Sequence, residues 1–332
     1  MPKKQVVVVG GGTGTHTVLR GLKKYTDAIT LTAIVSMADS GGSTGRLRDE
    51  FGQLPAGDVR NALTALATDG DESGALLRQL FLYRFSRGEG LHGHNFGNLF
   101  LTVLTDILGS EVKAIDAASR ILRVAGRVVP VTTDDAHLQA TYEDGLVVTG
   151  EHDIDEITDP TRAAIRITGF TMEPKAILNP EADRVLRSAD LIILGPGDLY
   201  TSVLANCVVD GFTEALKASS AKIVYVCNVM SKRGQTVGLQ AAGHLREVVR
   251  YAGITPSAII VNSDTFPAHL LTKYAAEGNH PVLNDLTSNV TIKVISHPLL
   301  AKEEVPAVAG DTLTRSLLRH DADVLASVLL SL

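Results

Sequence analysis

Only two of the 332 residues are cysteine, Cys207 and Cys227. A single pair cannot build the bridge framework of a small secreted domain, and a reduced compartment is the simpler reading. Long apolar runs are missing as well. The longest run is four or five residues, against about 7–15 for a secretory signal and about 20 for a membrane helix. These absences predict a cytoplasmic protein with no membrane partner. There is no surplus of positive charge either. Thirty-one Lys and Arg face 37 Asp and Glu, for a formal net charge of −6. That excludes a general nucleic-acid binder and requires any anion to be held at a local site. The chain also lacks a Gly-x-Ser-x-Gly elbow, a His-Glu-x-x-His pair and a Cys-x-x-Cys motif, so hydrolase, zincin and thiol-redox readings have no support.

What is present is a large core. Apolar residues make up 45% of the chain, and at this length folding buries roughly 75% of the unfolded surface. Short runs apolar on both faces recur at Val6–Val9, Leu31–Val35, Leu191–Leu194, Ile223–Cys227 and Ala258–Val261. Helical patterns lie between them, at Val59–Ala67, Asn98–Leu108, Ala182–Arg187, Gly211–Ala218 and Leu239–Arg250. Buried strands alternating with helices predict a doubly wound, mainly parallel α/β sheet. From Val128 to Gly150 apolar and polar residues alternate around Glu143-Asp144-Gly145, which predicts an antiparallel hairpin. No linker or repeat divides the chain, so the expectation is one domain over 1–332 with an insertion at about 128–150. The acidic stretch Glu151 to Asp159 reads as a surface loop.

Chemistry concentrates in the loops after the strands. The first, Gly10-Gly-Gly-Thr-Gly14, lets backbone approach a ligand at a helix N-terminus and reads as a pyrophosphate cradle or a tight turn. It breaks the dinucleotide pattern G-x-G-x-x-G at Thr15, and no Gly-Lys-Ser/Thr follows, so a nucleotide is supported while NAD is not. The second carries Asp39, placed for a ribose diol or a cation, then Ser40, Gly41, Gly42, Ser43, Thr44 and Gly45, flanked by Arg46 and Arg48. Main-chain nests and arginine forks of this kind suit phosphate. Asp58 and Asn61 begin the next helix, with Asp58 either its N-cap or a ligand group. A third loop holds His92, His94 and Asn95. A lone His-x-His is weak as a metal site, and Asn95 serves equally as a cap. Gly195 and Gly197 with Asp198, and then Asn228 to Thr236, form a fourth and a fifth loop. Open α/β sheets bind at the carboxyl ends of their strands, so five such loops imply one elongated anionic ligand or two side by side.

At these loops the chain resembles the YvcK-like proteins, known as gluconeogenesis factors, of the CofD superfamily. The resemblance rests on Gly10-Gly-Gly-Thr-Gly14, Ala38-Asp-Ser-Gly-Gly-Ser-Thr-Gly-Arg-Leu-Arg-Asp-Glu-Phe-Gly52 and Leu54-Pro-Ala-Gly-Asp-Val-Arg-Asn61. It continues through Gly93-His-Asn-Phe-Gly-Asn98, Leu194-Gly-Pro-Gly-Asp-Leu-Tyr-Thr-Ser-Val203 and Tyr225-Val-Cys-Asn-Val-Met230. It implies a Rossmann-like three-layer α/β/α sandwich. It further implies a regulatory protein that binds a UDP-sugar of the UDP-N-acetylglucosamine type and is linked to carbon metabolism and cell shape. Gly11, Gly12, Thr13 and Gly14 would then cradle the diphosphate, Asp39 and Asn95 would match the second and third loops, and Tyr274 and Arg319 would meet the UDP-sugar. The alternative is a CofD-like transferase moving a phospholactyl-type group from a guanosine diphosphate donor to a deazaflavin. Only that reading calls for a cofactor, Mg²⁺, with Asp39 among its ligands. A homodimer is compatible with either. Ser40 stands where relatives carry a second Asp, His16 and Thr17 replace smaller or aliphatic residues, and Asp198 replaces a smaller polar one.

Overall fold

A computed structural model describes residues 2–68, 70–157, 159–286, 291–302 and 317–332. The strands are β1 (Lys4–Gly10), β2 (Ile29–Val35), β3 (Arg127–Pro130), β4 (His137–Tyr142), β5 (Val147–Thr149), β6 (Ile167–Glu173), β7 (Leu191–Leu194), β8 (Lys222–Val226), β9 (Ala258–Asn262) and β10 (Lys293–His297). Among the described residues seven of them form a parallel sheet in the order β10-β9-β8-β7-β1-β2-β3. The remaining three form an antiparallel sheet, β5-β4-β6.

The central strand shows why its sequence is apolar throughout. Val7 and Val9 face one core, Val6 and Val8 the other, and all four are buried. Helices α1 (Gly12–Leu22), α2 (Gly42–Phe51), α3 (Gly57–Leu66), α4 (Glu72–Leu82), α5 (Phe96–Leu108) and α6 (Glu111–Ile121) follow in the first half of the chain. The core on the side of Val6 and Val8 takes its apolar residues from α1, α3, α5, α6 and the helix Ala322–Leu330. The opposite core takes them from the antiparallel sheet and the helices Pro180–Arg187, Phe212–Ala218 and Ala241–Ala252. The result is the three-layer α/β/α arrangement that the strand–helix alternation requires.

Two local expectations change. The hairpin is present as β4 and β5, closed by a turn in which Gly145 donates to Tyr142. However, Val128–Pro130 belongs to β3 and pairs with β2 at the edge of the parallel sheet, while β6 adds a third antiparallel strand. The segment from Glu151 is not a loop. It opens with a short helix, α7 (Glu151–Asp155), whose Ile154 is fully buried. One apolar side chain in an acidic stretch is enough to turn it toward the core.

Among the described residues no helix is long and apolar enough to cross a membrane.

Candidate functional site

The chain runs from β1 outward to β2 and β3, then returns to the other side of β1 as β7. Strand order therefore reverses between β1 and β7, and a crevice opens at their carboxyl ends, where ligands bind in such sheets. Two glycine loops meet there. A Cβ on Gly14 would overlap the Pro196 carbonyl, and one on Gly197 would stand 3.3 Å from the Gly11 carbonyl oxygen. Gly12 has φ +63 and opens α1 after Gly11. The backbone of α1 is thus packed on the backbone of the loop after β7, with Gly195 at φ +74 bending that loop inward.

Two carboxylates face this junction. Asp58 lies in the first turn of α3, whose N-cap is Ala56. It therefore does not cap its own helix and instead accepts the Gly12 amide at 2.7 Å. Burial pushes its carboxyl up to about 7, with Asp39 adding repulsion while Gly12, Arg60 and Asn61 pull the other way. Asn61 also accepts from Arg60 Nη2 at 2.9 Å. Asp39, just past β2, is likewise raised by burial, against the opposing bonds from Gly41 and Thr44; the Gly41 amide donates to it at 3.0 Å. Glu151 joins them from α7, raised well above the usual carboxylate range by burial, then by Asp39, Asp155 and Asp58.

The second and third loops are tied into one unit. Ser43 Oγ lies 3.3 Å from His94 Nδ1 and accepts the Asn95 amide at 3.1 Å. Asn98 Nδ2 donates to Thr44 Oγ1 at 3.1 Å, and Asn95 caps α5 by accepting the Asn98 amide. Burial, then Arg46, lowers the pKa of the His94 imidazole. Gly42 is exposed with open space where a Cβ would stand. Arg46, also exposed, donates to the His92 carbonyl at 3.0 Å. Arg48 is turned away, buried against Asp135 and the Ala136 carbonyl. Ser40 accepts the His152 amide at 2.9 Å, anchoring α7 over the second loop.

On the β7 and β8 side the groups are paired. Asn228 donates its amide to the Gly197 carbonyl at 2.6 Å, so it shapes the fourth loop. Lys232 bridges Asp155 at 2.9 Å and Asp198 at 3.3 Å. Burial works against the ammonium, but the two carboxylates overcome it and raise the Lys232 pKa. Gln235 Nε2 donates to Asp155 at 3.0 Å as well. Asp198 thus faces a cation. Sequence reading missed Glu151, Asp155 and Lys232 as members of this cleft. The only trace was that Lys232 lies in the fifth loop.

The two distal candidates part company. Tyr274 packs with Val229, Met230, Leu270 and Leu318, and its hydroxyl accepts the amides of Leu317 and Leu318 at 2.8 and 3.0 Å. Arg319 enters only through its charge: the His16 imidazole in α1 is driven down to about 3 by burial, then by Arg20, Arg78, Arg319 and Lys23 in that order. Among the described residues no three His, Cys, Asp or Glu side chains stand where one metal ion could take them all.

A family model described as 2-phospho-L-lactate transferase CofD matches residues 6–300. The chain is 43% identical to a gluconeogenesis factor of Halalkalibacterium halodurans, over 86% of this chain and 85% of that one. It is 38% identical to the gluconeogenesis factor of Bacillus subtilis, over 99% and 98% respectively. A crystal structure of a Bacillus halodurans protein superposes with a TM-score of 0.88 at 38% identity, covering 99% of this chain and all of that one. Family match, near-complete relatives and shared fold agree: the chain belongs to the CofD family, among its gluconeogenesis factors.

Proposed function

We propose that this protein is a nucleotide-sugar-binding regulator, with a UDP-sugar of the UDP-N-acetylglucosamine type lying across the β1/β7 crevice. The observation that carries this reading is the close approach of two glycine loops at the start of α1, where a Cβ on Gly14 would overlap the Pro196 carbonyl and one on Gly197 would stand 3.3 Å from the Gly11 carbonyl oxygen. A helix N-terminus lined by glycine backbone suits a diphosphate. Thr13 and Gly14 would offer main-chain and hydroxyl contacts, while Gly41, Gly42 and Ser43 at the start of α2 would receive the second end of the ligand. The role in carbon metabolism and cell shape follows from the family resemblance and rests on this binding.

A second reading has its own support. Asp39 and Asp58 form a carboxylate pair at the crevice, and Asp58 is raised partly because Asp39 is near. Two such oxygen donors suit a hard divalent cation such as Mg²⁺, which would supply charge neutralisation at a phosphate in a CofD-like transfer. Asp39 and Asp58 would hold it. Ser40, where a further carboxylate would strengthen the site, instead holds the His152 amide, which favours the regulator.

The deciding experiment is calorimetric titration with UDP-N-acetylglucosamine, with and without Mg²⁺, using GDP and NAD as controls. Metal-independent binding with the sugar unconsumed is the expected result. Silence toward the UDP-sugar with Mg²⁺-dependent GDP binding would transfer the assignment to the transferase.

A further inference from the structure

Helix α7 is only five residues long, Glu151–Asp155, and helices shorter than about 12 residues do not hold themselves together in water. Tertiary contacts hold it, and they differ at its two ends. The Asp155 carboxylate takes Lys232 Nζ at 2.9 Å, Gln235 Nε2 at 3.0 Å and Thr201 Oγ1 at 3.4 Å. Ile154 and Ile157 are buried beside it, and the Ile157 carbonyl accepts from Arg233. The other end rests on Ser40, whose Oγ accepts the His152 amide at 2.9 Å and whose own amide serves the Glu151 carboxylate. Behind that end Gly150 has φ +102 and leads back to β5, where Val147 and Thr149 are exposed. The Asp155 end is therefore the fixed one and the Glu151 end the movable one.

The same contacts place the helix. Ser40 follows β2, Thr201 follows β7, Lys232 and Gln235 follow β8, and β1 lies between β2 and β7 in the sheet. Helix α7 thus lies across the carboxyl ends of β1 and β7, over the crevice, and carries an anionic group of its own there. The favourable partner of the Glu151 carboxylate is the Ser40 amide, which works against burial and then the charges of Asp39, Asp155 and Asp58. Ser40 leads directly into Gly41, Gly42 and Ser43, the N-cap and first residues of α2. At such a helix start a carboxylate and a phosphate compete for the same main-chain donors.

We infer that α7 is an autoinhibitory lid, which turns about its Asp155 end and is opened when a phosphate-bearing ligand displaces Glu151 from the second loop. The inference rests on the reading of that loop as a phosphate site. Glu151 is the internal stand-in that keeps the site closed without ligand, so the observed affinity is lowered by the closed fraction. The Lys232 bridge stays in place while the Glu151 end lifts. A helix turn freed only in the liganded state is a difference that a regulator can transmit.

Hydrogen exchange of the full chain, read by mass spectrometry and paired with calorimetry, tests this with inorganic pyrophosphate and UDP-N-acetylglucosamine as probes. Either probe should speed exchange in peptides covering 150–154 by about tenfold or more, with 222–226 in β8 unchanged. Glu151→Ala should bind both probes about tenfold more tightly and exchange fast at 150–154 before any ligand is added. Glu156→Ala removes the same charge from an exposed residue past the fixed end and should alter neither property. Binding with unchanged or slower exchange at 150–154 overturns the lid and leaves the nucleotide-sugar reading standing. So does a Glu151→Ala variant whose affinity is equal or weaker. Pyrophosphate that opens the lid where the UDP-sugar fails to bind upholds the lid and sinks the nucleotide-sugar reading. A chain that binds neither probe overturns both.

Discussion

The loops after β1 and β2 and the loops after β7 and β8 share one edge of the sheet and treat charge in opposite ways. On the β7/β8 side Lys232 sits between Asp155 and Asp198, and the charges compensate each other within the protein. On the β1/β2 side Asp39 and Asp58 face main-chain amides and one another, and burial raises both. The difference separates a wall from a floor. Groups that already neutralise each other hold the cleft in shape, while groups held in an unfavourable ionisation state have more to gain from an incoming ligand or cation.

Three substitutions probe that contrast. The largest effect is expected at the joint between the two sides. Gly14→Val would drive a side chain into the Pro196 backbone, and overpacking against main chain should cost about 3 kcal/mol or more, read as a lower urea midpoint. An unchanged midpoint would mean that the two loops are free to separate. Next comes Lys232→Ala. It leaves Asp155 and Asp198 facing each other without their cation and should cost about 2 kcal/mol for a partly buried pair. Adding Asp198→Asn should recover much of that loss. If the double variant is no better than the single one, the wall does not depend on charge compensation. The most selective effect belongs to Asp58→Asn. The Asp58 carboxyl is raised from 3.8 to about 7, so the folded state holds its proton more tightly than the unfolded chain does. Its contribution to stability is complete below about pH 4 and is lost as pH rises toward 7. The Asn variant should therefore match wild type near pH 4 and exceed it at pH 8, giving a flatter melting-temperature profile. Parallel profiles would show that Asp58 is not strained in the native state.

Much of the architecture could be read from the sequence because central parallel strands are apolar on both faces. Leu191–Leu194 was read with its observed boundaries, and β1, β2, β8 and β9 to within a few residues. The edge strands β3 and β10 escaped. Their buried faces are incomplete, with Arg127 and Lys293 exposed at their starts, and the alternation of Val128–Pro130 ran on into the hairpin that follows. Strand β6 escaped because Gly169 interrupts it. In the cleft, the glycine loops were evident because close backbone approach demands a particular residue type. Lys232 and Asp155 could not be matched, because an ion pair spanning 77 positions leaves no periodic trace. Asn228 and Tyr274 were found as residues, but their hydrogen-bonding groups turn out to hold loops and main chain in place. Which acceptor a polar side chain finds is decided by tertiary packing, not by its neighbours in sequence.

The joint between Gly14 and the Pro196 carbonyl has a consequence for how such a protein can diversify. A contact with no room for a side chain can be lost by mutation but hardly adjusted. Gradual change in ligand preference must therefore come from the side chains around the seam and not from the seam itself. The backbone seam acts as the invariable part of an otherwise adaptable surface, and a lineage can explore new ligands there without reopening the problem of folding.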